Sequence, residues 1–271
     1  MIRSLYSGVS GMRNHQIRMD VIGNNIANVN TTGFKSGRVS FQDALSQNMR
    51  PGTGSVNPIQ VGTGMTISSI LNIHTQGALM NTGRQLDLAI QGNGYFTVKD
   101  PGSNTNYYTR DGVFYIDKDG FIVNNLGYQL CDNTAAGPIP IQIDVTTNKI
   151  QNIGVGLDGT VTGQYDTGDP LTFAGGSTGI LGLQYFRNPE SLTKAGQNLY
   201  TPSNATNTTD QVARPGTGGT GTIAAGYLEM SNVDLTEEFT NMITTQRGYQ
   251  ANARTITVSD SLLEELINLK R

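Results

Sequence analysis

The chain has 271 residues, with 18 Lys plus Arg against 21 Asp plus Glu, a formal charge of -3, and only 14% charged residues. That length is enough to bury one large apolar core or two smaller ones, and the charge balance excludes the overall basic field that a nucleic-acid backbone calls for. Gly supplies 34 residues and Trp none, which suits polar surfaces that meet other protein surfaces better than it suits an enzyme.

From the N-terminus, Ile2, Leu5, Val9, Met12, Gln16, Met19, Gly23 and Ile26 recur at alternating spacings of three and four. The pattern predicts an amphipathic helix. Gly8 and Gly11 each weaken it by about 1 kcal/mol relative to Ala, so it needs a partner. Residues 1–50 are read as this helix with the turn region after it, and 51–80 as a linker and extended segment. Within 81–202, the runs GYFTV, GVFYI and GFIVN predict short strands. Asp111-Gly112, Asp119-Gly120, Asp158-Gly159 and Asn93-Gly94 supply turns. A Gly/Thr-rich return linker is expected over 203–226.

The final segment, 227–271, carries the longest pattern. Asp234 with Glu237 forms a capping pair. Leu235, Phe239, Met242, Gln246, Tyr249, Ala253, Ile256, Asp260, Leu263 and Ile267 then keep the 4-3 alternation, and over 35 residues this is a helix of about 52 Å. The ends differ in charge, with six Lys or Arg and two Asp or Glu in 1–50 against four and seven in 227–271. They are expected to pair. The predicted fold is mixed α and β: paired, coiled-coil-like terminal helices forming one layer, with a β-rich domain between them.

Little in the chain carries chemistry. Cys131 stands alone and is read as a buried strand residue, while His15 and His74 lack partners at ligand spacing, so no metal or cofactor is expected. IDKDG around Asp117, Asp119 and Gly120 is an incomplete calcium loop and reads as a hairpin turn. Asp166 and Asp169 in YDTGDP read as a solvated loop, and IQGNGYF leads into a strand rather than a phosphate-binding helix. Arg3, Arg13, Arg18, Lys35 and Arg38 are dispersed, so no nucleic-acid partner is expected. No apolar stretch approaches the roughly 18 residues of a membrane helix, and the N-terminus has no cleavable leader pattern.

The block NNIANVNTTGFK, Asn24 to Lys35, resembles the N-terminal signature of the axial proteins of the bacterial flagellum. The resemblance continues through LDLAIQGNGYF at 86–96, YTRDGVFYIDKDGFIV at 108–123, FRNPESLTKAGQNLY at 186–200 and GYLEMSNVDLTEEFTNMITTQRGYQANARTI at 226–256. EFTNMI and FRNPESL look more like the hook branch of the family, TRDG more like the distal-rod branch, and the hook is the preferred reading.

The resemblance implies a structural, non-catalytic subunit without a small-molecule substrate. The terminal helices would line the inner layer of a hollow helical homopolymer, and the β domain its outer layer. It also implies export through the flagellar type III apparatus, with the hook cap, rod and hook-filament junction proteins as partners. A hook bends while it turns and a distal rod transmits torque as a straight shaft; Gly-rich 203–226 is expected to ease bending. The assembly seam is expected to bring Leu235, Phe239, Met242, Tyr249, Ile256, Leu263 and Ile267 against Leu5, Val9, Met12, Met19 and Ile26. Asn24, Asn25, Asn28, Asn30, Gly33 and Lys35 mark the signature. The asparagines are read as a polar block after the first helix making side-chain-to-backbone bonds, and Lys35 and Arg38 as candidates for a neighbouring subunit's carboxylates.

Overall fold

A computed structural model describes residues 2–50, 57–134, 137–145, 149–203 and 212–269. The chain divides into two compact units, each assembled from separated segments. The first comprises Met1–Val29, Ser36–Ile73 and Val233–Arg271; the second comprises Asn30–Lys35 and His74–Asn232.

In the first unit, helix α1 spans Ile2–Ala27 and helix α2 spans Leu235–Leu269. The two pack against each other along their lengths. Asp234 caps α2 as its sequence predicts: the carboxylate accepts from the Thr236 amide at 2.8 Å and the Glu237 amide at 3.4 Å. The same unit holds an antiparallel ribbon. Strands Gly37–Asp43 and Met65–Asn72 pair with a bulge between Ser40 and Phe41, and Ser46–Arg50 pairs with Ile59–Gly62. Asn14 fastens α1 to the ribbon by donating to the Met65 carbonyl at 2.6 Å. Much of the segment expected as linker and extended chain over 51–80 is therefore paired strand, with 51–56 outside the described residues.

The second unit is built on an antiparallel sheet in which Tyr95–Lys99 pairs with Asn106–Thr109, Gln129–Thr134 and Leu183–Gln184. Because this strand is flanked on both edges and buried along most of its length, its apolar residues close the main core. Phe96, Phe114, Leu130, Ile141, Leu181 and Leu183 are all fully buried there. A second cluster joins Tyr95, Phe186, Leu192 and Tyr200. Cys131 is buried beside the core, and desolvation pushes its thiol up to about 12.

The expected turns are in place. The Gly120 amide closes on Asp117, and Tyr165 bonds the Asp169 carbonyl, so Asp166 and Asp169 sit on a hairpin loop. The return segment is less loose than expected. Residues 204–211 lie outside the described residues, but Thr222–Ala225 is a strand paired with Leu88–Gln91, and the Gly221 amide bonds the Asn93 carbonyl at 2.7 Å.

Candidate assembly surface

Close approach of α1 and α2 depends on small residues. A Cβ at Gly8 would stand 3.2 Å from Ile256 Cγ1, at Gly11 2.7 Å from Asn252 Nδ2, and at Gly248 2.9 Å from the His15 ring. Ser4 and Ser259 join hydroxyls at 3.4 Å, and Arg18 donates to Asn241 at 3.3 Å. Thr245 and Ser259 are buried in α2, and Gly8, Gly11, Ile22 and Asn25 in α1. The intramolecular seam thus runs 4, 8, 11, 15, 18, 22, 25 on α1 and 238, 242, 245, 249, 252, 256, 259, 263 on α2.

Against that line, Met242, Tyr249, Ile256 and Leu263 of the expected seam are half-buried. Leu5, Met12, Met19 and Ile26 are half-buried on its flank. Val9, Leu235, Phe239 and Ile267 are exposed, so the helix pair does not close over them. The rest of the outward surface of α2 is strongly apolar. Leu235, Phe239 and Ile243 form one i, i+4 row; Val258, Leu262 and Leu266 form another. Rows at this spacing are the ridges that helices use to interlock, and in the single chain they face solvent.

The signature asparagines act locally. Asn24 and Asn25 lie inside α1 rather than after it. Asn25 behaves as an extra peptide group: its Nδ2 donates to the Gly37 carbonyl at 2.9 Å, and its Oδ1 accepts from the Gly37 amide at 2.9 Å. The same Nδ2 reaches Glu238 Oε1 at 2.7 Å, where burial raises the carboxyl's pKa and the Asn25 bond opposes the rise. Asn28 donates to the Asn24 carbonyl at 2.9 Å, and Asn30 is exposed.

Gly33 and Lys35 belong to the second unit and build a clasp there. Gly33 adopts φ +67°, and a Cβ on it would lie 2.6 Å from the Asp111 amide, so the site excludes larger residues. Its amide donates to the Glu229 carbonyl at 2.8 Å, and Thr32 donates to Asp111 at 2.8 Å. Lys35 does not reach out to a neighbour's carboxylate as expected. It is fully buried, donating to Glu229 Oε1 at 2.5 Å and the Thr75 carbonyl at 2.8 Å. Glu229 Oε1 also accepts the Gly77 amide at 2.9 Å, and Oε2 accepts Arg110 Nη1 at 3.2 Å. Burial pulls the Lys35 ammonium's pKa below the ordinary lysine value, while Glu229 works against that shift. Arg38 is exposed.

One carboxylate therefore ties together three separate chain passes. The sequence offered no signal for this beyond a Lys in a Gly-containing turn, because the partner lies 194 positions away.

Among the described residues no cluster of three His, Cys, Asp or Glu side chains is placed to hold a metal ion, and no helix is long and apolar enough to cross a membrane.

Comparison with known proteins agrees with this geometry. Residues 5–35 match the family described as flagella basal body rod protein. Residues 89–163 match the flagellar hook protein FlgE/F/G D1 domain, and 224–269 match the flagellar basal body rod FlgEFG protein C-terminal family. The flagellar basal-body rod protein FlgG of Bacillus subtilis is 47% identical over 280 aligned positions covering all of both chains. The protein of the same name from Buchnera aphidicola of Schizaphis graminum is 40% identical, covering 99% of this chain and 100% of its own. The flagellar hook protein FlgE of Borreliella burgdorferi is 32% identical over 445 aligned positions, with both chains fully covered. With paired terminal helices, an intervening β unit and relatives matched from end to end, this chain belongs to the flagellar rod and hook family, and is a structural protein of the flagellar axis that polymerises into its shaft rather than an enzyme.

Proposed function

We propose that the chain is a distal rod subunit, a segment of the straight drive shaft of the basal body. The observation that carries this reading is length. Its alignment with the Bacillus subtilis rod protein needs only 280 positions for two fully covered chains, whereas the Borreliella hook protein needs 445. Hook relatives of that kind therefore carry long stretches this chain lacks. The reading reverses the preference for a hook drawn from EFTNMI and FRNPESL and follows the TRDG block at 109–112 instead. Stiffness fits the closed return segment and the buried clasp, both of which limit internal adjustment.

Assembly in this reading covers the outward rows of α2. The expected seam residues Val9, Leu235, Phe239 and Ile267 act between copies, and the half-buried Leu5, Met12, Met19, Ile26, Met242, Tyr249, Ile256 and Leu263 border both the intramolecular and the intersubunit contact. Fully burying a side chain such as Ile or Leu is worth about 1.5–3 kcal/mol, so a few such residues per contact sustain a repeating, non-closing polymer. Its partners are further copies and the adjoining axial proteins, reached by type III export.

Cryo-electron microscopy of the native hook–basal body tests the assignment. Density for this chain in the straight segment below the hook is expected. Density in the curved external segment would make it a hook protein. Ile243→Asp, at a side chain 59% exposed, should leave the monomer folded and abolish tube formation.

A further inference from the structure

A cleft of about 220 Å³ in the second unit lies beside the clasp, lined by His74, Arg110, Tyr95, Tyr185 and Phe186, with exposed Arg187 among its lining residues. Two of its nitrogens are buried without an acceptor, Arg110 Nε and His74 Nε2. Arg110 itself is almost wholly buried, its Nη1 on Glu229, its Nη2 on the Gly92 carbonyl at 3.0 Å, and its guanidinium 5.1 Å from the Tyr95 ring centre. Tyr95 bonds His74 Nδ1 through its hydroxyl at 2.7 Å. Burial keeps that phenol protonated, so the hydroxyl donates to Nδ1 and the imidazole carries its own proton on Nε2. Both unpartnered nitrogens are therefore donors.

Charge in this region is also unbalanced. Lys35 and Arg110 share Glu229, the one carboxylate ion-paired to them among the described residues. Lys194 adds a third cation, with its Nζ on the Lys35 carbonyl at 3.1 Å. Burial first, and then these three cations, hold His74 at about 4, so the imidazole itself is neutral at pH 7. A buried group of three cations around one carboxylate, with two spare N–H donors, is stabilised by a further anion able to accept hydrogen bonds.

We infer that the His74–Arg110 cleft is a carboxylate receptor, and that its occupant in the assembled shaft is an acidic side chain of a second copy of this chain. Charge complementarity selects that source. The chain is acidic overall, and exposed Asp119, Asp166 and Glu190 form no ion pair among the described residues. Aromatic walls suit the methylene stem of such a side chain, and the cleft's donors suit its head. A repeating heterologous contact of this kind needs both halves on the same chain. The inference rests on the polymer reading above, and adds to the apolar helix contact a polar contact made by the β unit.

The chain has only two histidines, so imidazole NMR signals report the site, with His15 as the control. Propionate added to the soluble full-length chain should shift the His74 signals saturably and leave those of His15 in place, while the neutral isostere propionamide should not. His74→Phe should weaken 13C-propionate binding about tenfold, the value of one charge-assisted hydrogen bond. Assembled tubes without propionate should show the same His74 shift. Failure of propionate to bind overturns the receptor. Binding to the monomer with no His74 change in well-formed tubes overturns the second-copy occupant and assigns the cleft to a free small carboxylate. In that case the polymer reading survives; absence of tubes removes it and the occupant together.

Discussion

Replacing Lys35 by Met removes the ammonium from a buried pair while keeping a stem of similar length. Glu229 keeps Arg110 at 3.2 Å and the Gly77 amide at 2.9 Å, but Oε1 loses its closest donor and the Thr75 carbonyl loses its partner. Removing one member of such a pair costs about 3–5 kcal/mol, and the partners that remain place Lys35→Met near the lower figure. At about 2–4 °C per kcal/mol for a unit of this size, melting should fall by about 6–12 °C. Glu229→Leu should be worse, because it leaves both Lys35 and Arg110 without their carboxylate. Near-UV circular dichroism follows the transition through Tyr95 and Tyr200, which pack edge to face at 5.9 Å beside the clasp. A Lys35→Met melt within about 1 °C of the parent, or a Glu229→Leu variant more stable than Lys35→Met, would refute this account.

Other perturbations probe separate features. Gly11→Leu drives a side chain into Asn252 and should destabilise the helix pair by about 1–3 kcal/mol, measured by urea unfolding followed at 222 nm. Asp234→Ala should remove the α2 cap at a cost of about 1 kcal/mol in the same assay. His74 is held neutral, its folded pKa of about 4 lying below the unfolded value of 6.5; its contribution is complete above pH 6.5 and is lost as pH falls through 4, an effect of about 3 kcal/mol. His74→Gln should flatten the fall in stability over that window, and an unchanged slope would show that other groups govern it.

Much of the architecture was legible because periodicity survives in the sequence. Both terminal helices, the α2 cap and the strands at Tyr95, Phe114 and Ile122 follow from spacing and turn chemistry. The helix seams were displaced by one position. Apolar periodicity selects 5, 9, 12 and 239, 246, 253, 260, whereas the packed line takes 4, 8, 11 and 238, 245, 252, 259, which are Ser, Gly, Gly, Glu, Thr, Asn and Ser. A hydrophobicity reading cannot find a contact made by glycines and hydroxyls, and so it points to the apolar residues that the single chain leaves on its outer surface. Glycines 8 and 11, which the sequence marks as helix weakeners, are the places where α2 comes nearest. The clasp was hidden for a different reason: its members are scattered from position 35 to 229, and only the folded sheet gathers them.

That scattering also orders events in time. A ribosome makes Lys35 and Arg110 long before Glu229, so a nascent chain holds two unmatched cations through most of its synthesis. The second unit cannot close until the residues just ahead of α2 have been made, and the helix pair must wait longer still. Contacts spanning 194 and 255 positions make folding a late and slow step. A chain so arranged stays open until it is nearly finished, which gives an exporter that threads unfolded polypeptide time to engage it before it folds.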